Sequence, residues 1–301
     1  METHALIDMG SNTIRLSVFG RRDDGTVHQL FSEKEMAGLA NYVDDGVMST
    51  QGARRAIDAL NNFKQMLTLF GITKVNVFAT ASLRNIKNTD EIVDLIKEET
   101  GYEVEIISGT DEAKLGYYGV LSWMNIESGT VFDIGGGSME VTEIKSRQIM
   151  SAQSVDIGSL VLFKKYVSGI WPDKDEIEDI TDAIERKLEG IDGVRSNLVY
   201  GIGGTARGVL KLAQSYYKMP IQNRAIYVDQ LDEICDFLTS ESKEARNFVL
   251  KSYPDRIHTI IPGTLIIQTL CRKIHCQTLM ISPYGAREGY LYKMLGQKLD
   301  G

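Results

Sequence analysis

Thr130-Val-Phe-Asp133-Ile-Gly135-Gly136-Gly137-Ser138-Met-Glu140 is the stretch on which the architecture turns. An apolar strand ends in an aspartate, a glycine run turns the chain, and residues 139–144 read as a returning strand. The N-terminus carries the same pattern in shorter form. Residues 5–8 and 16–20 read as strands on either side of Gly10-Ser11-Asn12, with Asp8 in the place of Asp133. The two aspartates lie 125 residues apart, and a repeat of that length marks a duplicated domain, not a solenoid unit.

Around these turns, strand and helix signals alternate. Residues 51–70 place Ala53, Ile57, Leu60, Phe63, Leu67 and Phe70 at helical spacing, with Thr50 as N-cap and Gly71 as the stop. Strands are expected at 75–80 and 102–108, and helices at 89–99 and 111–122. After the second turn, helices are expected at 160–167, 174–188, 205–214, 228–238 and 260–272, with a closing helix at 284–295. Strands at 198–202 and 279–282 interrupt them. The succession predicts an α/β fold with helices packed against sheets.

With 301 residues, 43% of them hydrophobic, the chain is long enough for two domains. A net charge of −8 counts against nucleic-acid or anionic-membrane partners. It excludes a polyanionic substrate less firmly, because backbone amides and a bound cation hold phosphate without a basic composition. The strand-like run that follows Met1 has no basic and apolar leader pattern, and no window approaches 18 consecutive apolar residues. Cys235, Cys271 and Cys276, an odd number in a long chain, read as reduced thiols. A cytoplasmic location is therefore expected.

Both glycine turns suit an anion nest, since glycine admits positive φ and lets successive amides point at one spot. Ser11, Asn12 and Ser138 add short hydrogen-bonding side chains; a lone turn of this kind would equally read as a hairpin. Aspartate beside such a nest repels the ligand unless a cation lies between them. Asp8 and Asp133 therefore read as Mg²⁺ holders, with an Asx cap of the turn as the plainer role. Gly201-Ile-Gly203-Gly204-Thr205 is a third glycine turn, entering a helix that Thr205 could cap. Glu112, in the first turn of a helix, and Glu140, just past the second glycine turn, are candidates to orient or deprotonate water. Glu112 could instead only complement the helix dipole. Arg84, after the strand at 75–80, offers a guanidinium to phosphate oxygens. The run Cys271-Arg-Lys-Ile-His275-Cys276 has too few ligands for a metal cluster and reads as buried thiol at a helix end.

The order of the three turns resembles the superfamily of actin, heat-shock chaperone ATPases and sugar kinases. Within it, Ile7-Asp-Met-Gly-Ser-Asn12, Ala79-Thr-Ala-Ser-Leu-Arg84, Ile107-Ser-Gly-Thr-Asp-Glu-Ala113 and Val131-Phe-Asp-Ile-Gly-Gly-Gly-Ser-Met-Glu140 are similar to the exopolyphosphatase and guanosine-pentaphosphate phosphohydrolase (Ppx/GppA) family. Gly203-Gly-Thr-Ala-Arg207 and Gly285-Ala-Arg287-Glu288-Gly289 agree, so the resemblance spans nearly the whole chain. It implies two ribonuclease H-like domains with an interdomain cleft: residues 1–121 with the closing helix 284–301, and residues 122–283. It also implies Glu112 as catalytic base, Glu140 as a second essential carboxylate and Asp133 on magnesium, with Mn²⁺ as the other candidate ion. Gly135, Gly136, Gly137 and Ser138, with Ser11 and Asn12, would cradle phosphates; Gly203, Gly204 and Thr205 would bind substrate, and Arg84 would contact it.

The expected function is Mg²⁺-dependent release of terminal phosphate from polyphosphate or guanosine pentaphosphate, with the tetraphosphate as a further ligand and a homodimer left open. Two alternatives stand beside it, a sugar- or acetate-type kinase of the same fold and a non-hydrolytic alarmone sensor. Longer family members add C-terminal helical domains where this sequence stops at Gly301, which favours short phosphate chains. Asp255-Arg-Ile-His258 has histidine where the family pattern leads one to expect aspartate.

Overall fold

A computed structural model describes residues 2–191 and 196–296. The chain divides at Gly109/Thr110 into two compact units, each with its own sheet and core.

In the first unit, β1 (Glu2–Met9), β2 (Ile14–Arg21) and β3 (Val27–Glu35) form an antiparallel meander. A short 3-10 turn, β4 (Val43–Asp44) and β5 (Val47–Met48) lead to α1 (Thr50–Leu69). Then come β6 (Val75–Ala79), α2 (Ala81–Arg84), α3 (Thr89–Thr100) and β7 (Val104–Ile106). The main sheet has the order β3-β2-β1-β6-β7, with β1, β6 and β7 parallel. Its core joins Ile7, Leu16 and Val77 to the α1 residues Ile57, Leu60 and Phe63, which recur on one face at helical spacing. The N-cap of α1 is Ser49, whose Oγ accepts from Gly52 N at 3.3 Å, and Thr50 is the first helical residue. Phe70 lies beyond the last turn, exposed, its ring 5.4 Å from that of Phe31.

The second unit opens with α4 (Gly109–Leu121), followed by β8 (Gly129–Ile134), β9 (Met139–Lys145) and β10 (Gln148–Val155). Next are α5 (Ser159–Tyr166), α6 (Lys174–Leu188), β11 (Leu198–Ile202) and α7 (Gly203–Tyr217). The chain continues through β12 (Ala225–Tyr227), α8 (Val228–Thr239), α9 (Lys243–Ser252), a 3-10 turn at Pro254–Arg256 and α10 (Ile260–Lys273). It closes with β13 (Thr278–Ile281) and α11 (Ala286–Met294). The sheet order is β10-β9-β8-β11-β13-β12, in which β8, β11 and β13 are parallel. α10, buried along most of its length, is the central helix of this core and packs on α5, α6, α7 and α8.

Both sheets therefore run meander strand three, two, one, then two strands reached by crossover, with the second strand antiparallel to the rest; β12 is an added edge. That is the ribonuclease H-like topology, present twice. Among the described residues no helix is long and apolar enough to cross a membrane.

The sequence-based boundary differs from the observed division. α4 goes with the second sheet because Thr142 Oγ1 on β9 donates to Ala113 O at 2.8 Å and Gly116 meets Ile202. α11 goes with α4 because the two backbones touch: a Cβ at Gly119 would lie 2.6 Å from the carbonyl carbon of Gly285, and one at Gly289 2.8 Å from that of Leu115. Residues 297–301 of the expected closing segment lie outside the described residues. Since backbone cannot give way as a side chain tip can, Gly289→Ala is expected to cost about 2 kcal/mol. Chemical denaturation should show the loss as a lower midpoint with an unchanged slope.

Candidate active site

The β8–β9 hairpin places Asp133 directly opposite Glu140. Directly paired residues of antiparallel strands share a sheet face, so the two carboxylates are neighbours. Glu140, 3% exposed, is held from the other side by Ser154 of β10, whose Oγ donates to Oε1 at 2.6 Å. Thr142 lies two residues on, on the same face, where it fixes Ala113. Glu112 precedes Ala113, so the first turn of α4 brings a third carboxylate toward this face; its side chain is half-buried.

Between the strands, the turn closes on Gly135 N donating to Ser138 O at 2.9 Å. The carbonyls of Gly135 and Gly136 accept from the amides of Ser159, Leu160 and Val161 at 3.0–3.1 Å. The first turn of α5 thus holds the glycine run by its oxygens. Among the described residues, the amides of Gly136 and Gly137 donate no hydrogen bond. Two adjacent unspent amides on a fixed turn form an anion nest.

The third turn docks on the second. Thr205 was expected to cap α7, but Ile202 is the N-cap and Thr205 lies inside the helix. Its hydroxyl donates instead to Ile134 O at 2.8 Å, tying α7 to β8. Gly203 has φ +80, and a Cβ there would fall 2.9 Å from Asp133 Cγ and closer still to Oδ1. Only a residue without a side chain lets the Asp133 carboxylate pack this closely on the third turn. A carboxylate beside a phosphate nest suits a hard cation such as Mg²⁺, which takes one or two carboxylates plus waters and phosphate oxygens. Among the described residues no three His, Cys, Asp or Glu side chains cluster as a metal site of their own.

A model of the Ppx/GppA phosphatase family matches residues 18–298. The chain belongs to that family. Exopolyphosphatase 1 of Mycobacterium tuberculosis is 24% identical over 306 residues, covering 98% of this chain and 89% of that one. Among solved structures, an exopolyphosphatase from Cytophaga hutchinsonii superposes with a TM-score of 0.87 at 24% identity, covering all of both chains. The Aquifex aeolicus Ppx/GppA family member gives 0.81 at 23% identity, covering 98% of each chain.

In this Ppx/GppA protein the residues singled out from sequence fall into two groups. Glu112, Asp133, Gly135, Gly136, Gly137, Ser138, Glu140, Gly203, Gly204 and Thr205 belong to the second unit, at the carboxyl ends of β8 and β11, at the start of β9 or on α4. Asp8, Ser11, Asn12 and Arg84 belong to the first, at the carboxyl ends of β1 and β6. There the turn is braced from behind: Ala40 N and Gly38 N donate to Ser11 O and Asn12 O at 2.9 Å, and Ser82 Oγ donates to Met9 O. Arg84 reaches the end of β7, donating from Nη1 to Ile107 O at 3.0 Å.

Three arginines were missed as site residues. Arg207, Arg287 and Arg256, from α7, α11 and the 3-10 turn before α10, all act electrostatically on Asp133. A Cβ on Gly204 would lie 2.9 Å from Arg256 Cζ, which sets that guanidinium against the third turn. Arg207 and Arg287 stood in motifs already quoted for the family, and Arg256 is two residues before the unusual His258. His258 itself is exposed, its ring 4.9 Å from that of Phe163.

Burial raises the Asp133 carboxyl above its ordinary value, and the three arginines pull it back only in part. The folded chain then binds more protons here than the unfolded one, so stability falls as pH rises through this titration. Above it, ionised Asp133 is a standing cost. Asp133→Asn is therefore expected to melt higher than wild type at neutral pH in EDTA, measured by calorimetry, while wild type gains on it as pH is lowered.

Proposed function

We propose that this chain is a Mg²⁺-dependent phosphohydrolase that removes terminal phosphate from inorganic polyphosphate, from guanosine pentaphosphate, or from both. The observation that carries this reading is the pairing of Asp133 with Glu140 across a hairpin whose turn offers two unspent amides. The polyphosphate assignment draws on the relatives named exopolyphosphatase.

The amides of Gly136 and Gly137 take oxygens of the terminal phosphoryl group, and Arg207, Arg256 and Arg287 supply positive charge around it. Asp133, on the second unit, is the carboxylate offered to Mg²⁺. When bound, the ion neutralises phosphate charge and orients phosphate oxygens. Glu112 orients the attacking water and takes its proton, while Glu140, pinned by Ser154, keeps its carboxylate aimed at the same face. Attack in line on the terminal phosphorus releases orthophosphate.

The test is orthophosphate release from short and long polyphosphates, guanosine pentaphosphate and ATP, with and without EDTA. Release from polyphosphate that EDTA abolishes and Mg²⁺ restores is expected. Tight binding without release under saturating Mg²⁺ would favour a sensor, and transfer to an added acceptor a kinase.

A further inference from the structure

Away from the glycine turns, the second unit holds a cavity of about 470 Å³ between α5 and α6. Its buried surface is apolar, made by Ile157, Leu162 and Ala183. Its exposed rim is cationic, made by Lys165, Arg186 and Lys187. Lys187 Nζ lies 3.5 Å from Asp156 Oδ2, which bridges the α6 wall to the strand-to-helix link before α5. Among the described residues, Lys165 and Arg186 have no carboxylate partner. Lys165 Nζ lies 5.1 Å from the centroid of the Tyr166 ring, also in the cavity lining, so the cationic rim stands directly beside the apolar wall.

The walls are set in advance. Asp173 and Glu176 cap α6 reciprocally, and Ser168 N donates to Glu176 Oε1 at 2.8 Å, which fixes the link from α5 to α6. The volume lies within the roughly 300–1,000 Å³ typical of small-molecule sites. A bare phosphate would waste the apolar floor, and a neutral hydrocarbon would waste the rim. The chemistry that uses both is a flat apolar ring system carrying one anionic group.

Val161 lines this cavity with a side chain 41% exposed, and its own amide donates to Gly136 O at 3.0 Å. A ligand resting on Val161 is one residue from the phosphate-binding turn. We propose that this cavity is a second site, for a small amphipathic anion, which steadies α5 and through it the turn at 135–138. The site and its coupling stand whatever ester or anhydride the chain hydrolyses.

Anilinonaphthalene sulfonate, a flat ring system with one sulfonate, is the probe. Fluorescence titration of the intact chain should show one site. Affinity should fall about tenfold in Lys165→Glu/Arg186→Glu, surface changes that leave the fold alone. It should fall at least as far in Ala183→Trp, which fills the floor. Hydrogen exchange in the 156–166 segment should slow in wild type when the probe is bound. Equal affinity in wild type and the double charge variant, unchanged exchange in that segment, or displacement of the probe by an equal concentration of inorganic phosphate would each overturn the proposal.

Discussion

Glu112→Gln is expected to reduce phosphate release about a thousandfold, within the 10²–10⁴ range of a lost general base. The change keeps the size and hydrogen-bonding shape of the side chain. It removes only the negative charge and the ability to accept a proton. Ala113, the next residue, is buried and bound through its carbonyl to Thr142, which fixes the helix turn that carries residue 112. Circular dichroism and the melting temperature should match wild type, and substrate binding should persist. The loss should appear in kcat, with KM little changed, because the carboxylate acts on water and not on the bound phosphate. A variant that keeps wild-type turnover would remove Glu112 from the chemistry.

Gly203→Val should fail in two ways at once. With φ +80, the position suits glycine, and a β-branched residue there is a rare strained case. The new Cβ would also press on the Asp133 carboxylate, so either the turn or the aspartate must move. The backbone strain and the displaced contact together should cost about 3 kcal/mol. Activity should fall to background even at temperatures where the variant is folded. Asp133→Asn is the informative partner: it should also lose activity, yet gain stability. A Gly203→Val protein that is both stable and active would show that the third turn does not hold Asp133 in place.

The paired Asp-x-Gly turns were legible because their signal is local: aspartate at a strand end, glycine at the turn and a returning strand are short-range facts. The duplicated topology follows from seeing them twice. Edge strands were not legible. β3 and β10 carry mostly exposed or half-buried side chains and each has a register break in its pairing, between Val18 and Phe19 on β2 opposite β3 and between Ile149 and Ser151 within β10. Such strands lack the apolar alternation that marks a half-buried one. Thr205 shows a second kind of miss. Its hydroxyl faced a choice between its own helix and Ile134 O, and only the tertiary approach of β8 decided it. Arg207, Arg256 and Arg287 are a third kind, because convergence on Asp133 from three separate elements is a property of the packed chain. The division at Gly109/Thr110 was not legible for a related reason. Glycine-to-backbone packing joins α4 to α11, two segments the sequence already placed together; the ties of α4 to Thr142 and Ile202 of the second sheet left no local signal.

Phosphate release from polyphosphate in isotopically labelled water tests the central claim most directly. Hydrolysis of the terminal anhydride predicts that each orthophosphate released carries a single oxygen from that water, and that release stops in Glu112→Gln. Orthophosphate without solvent oxygen, or phosphate recovered only on an added acceptor, would contradict it.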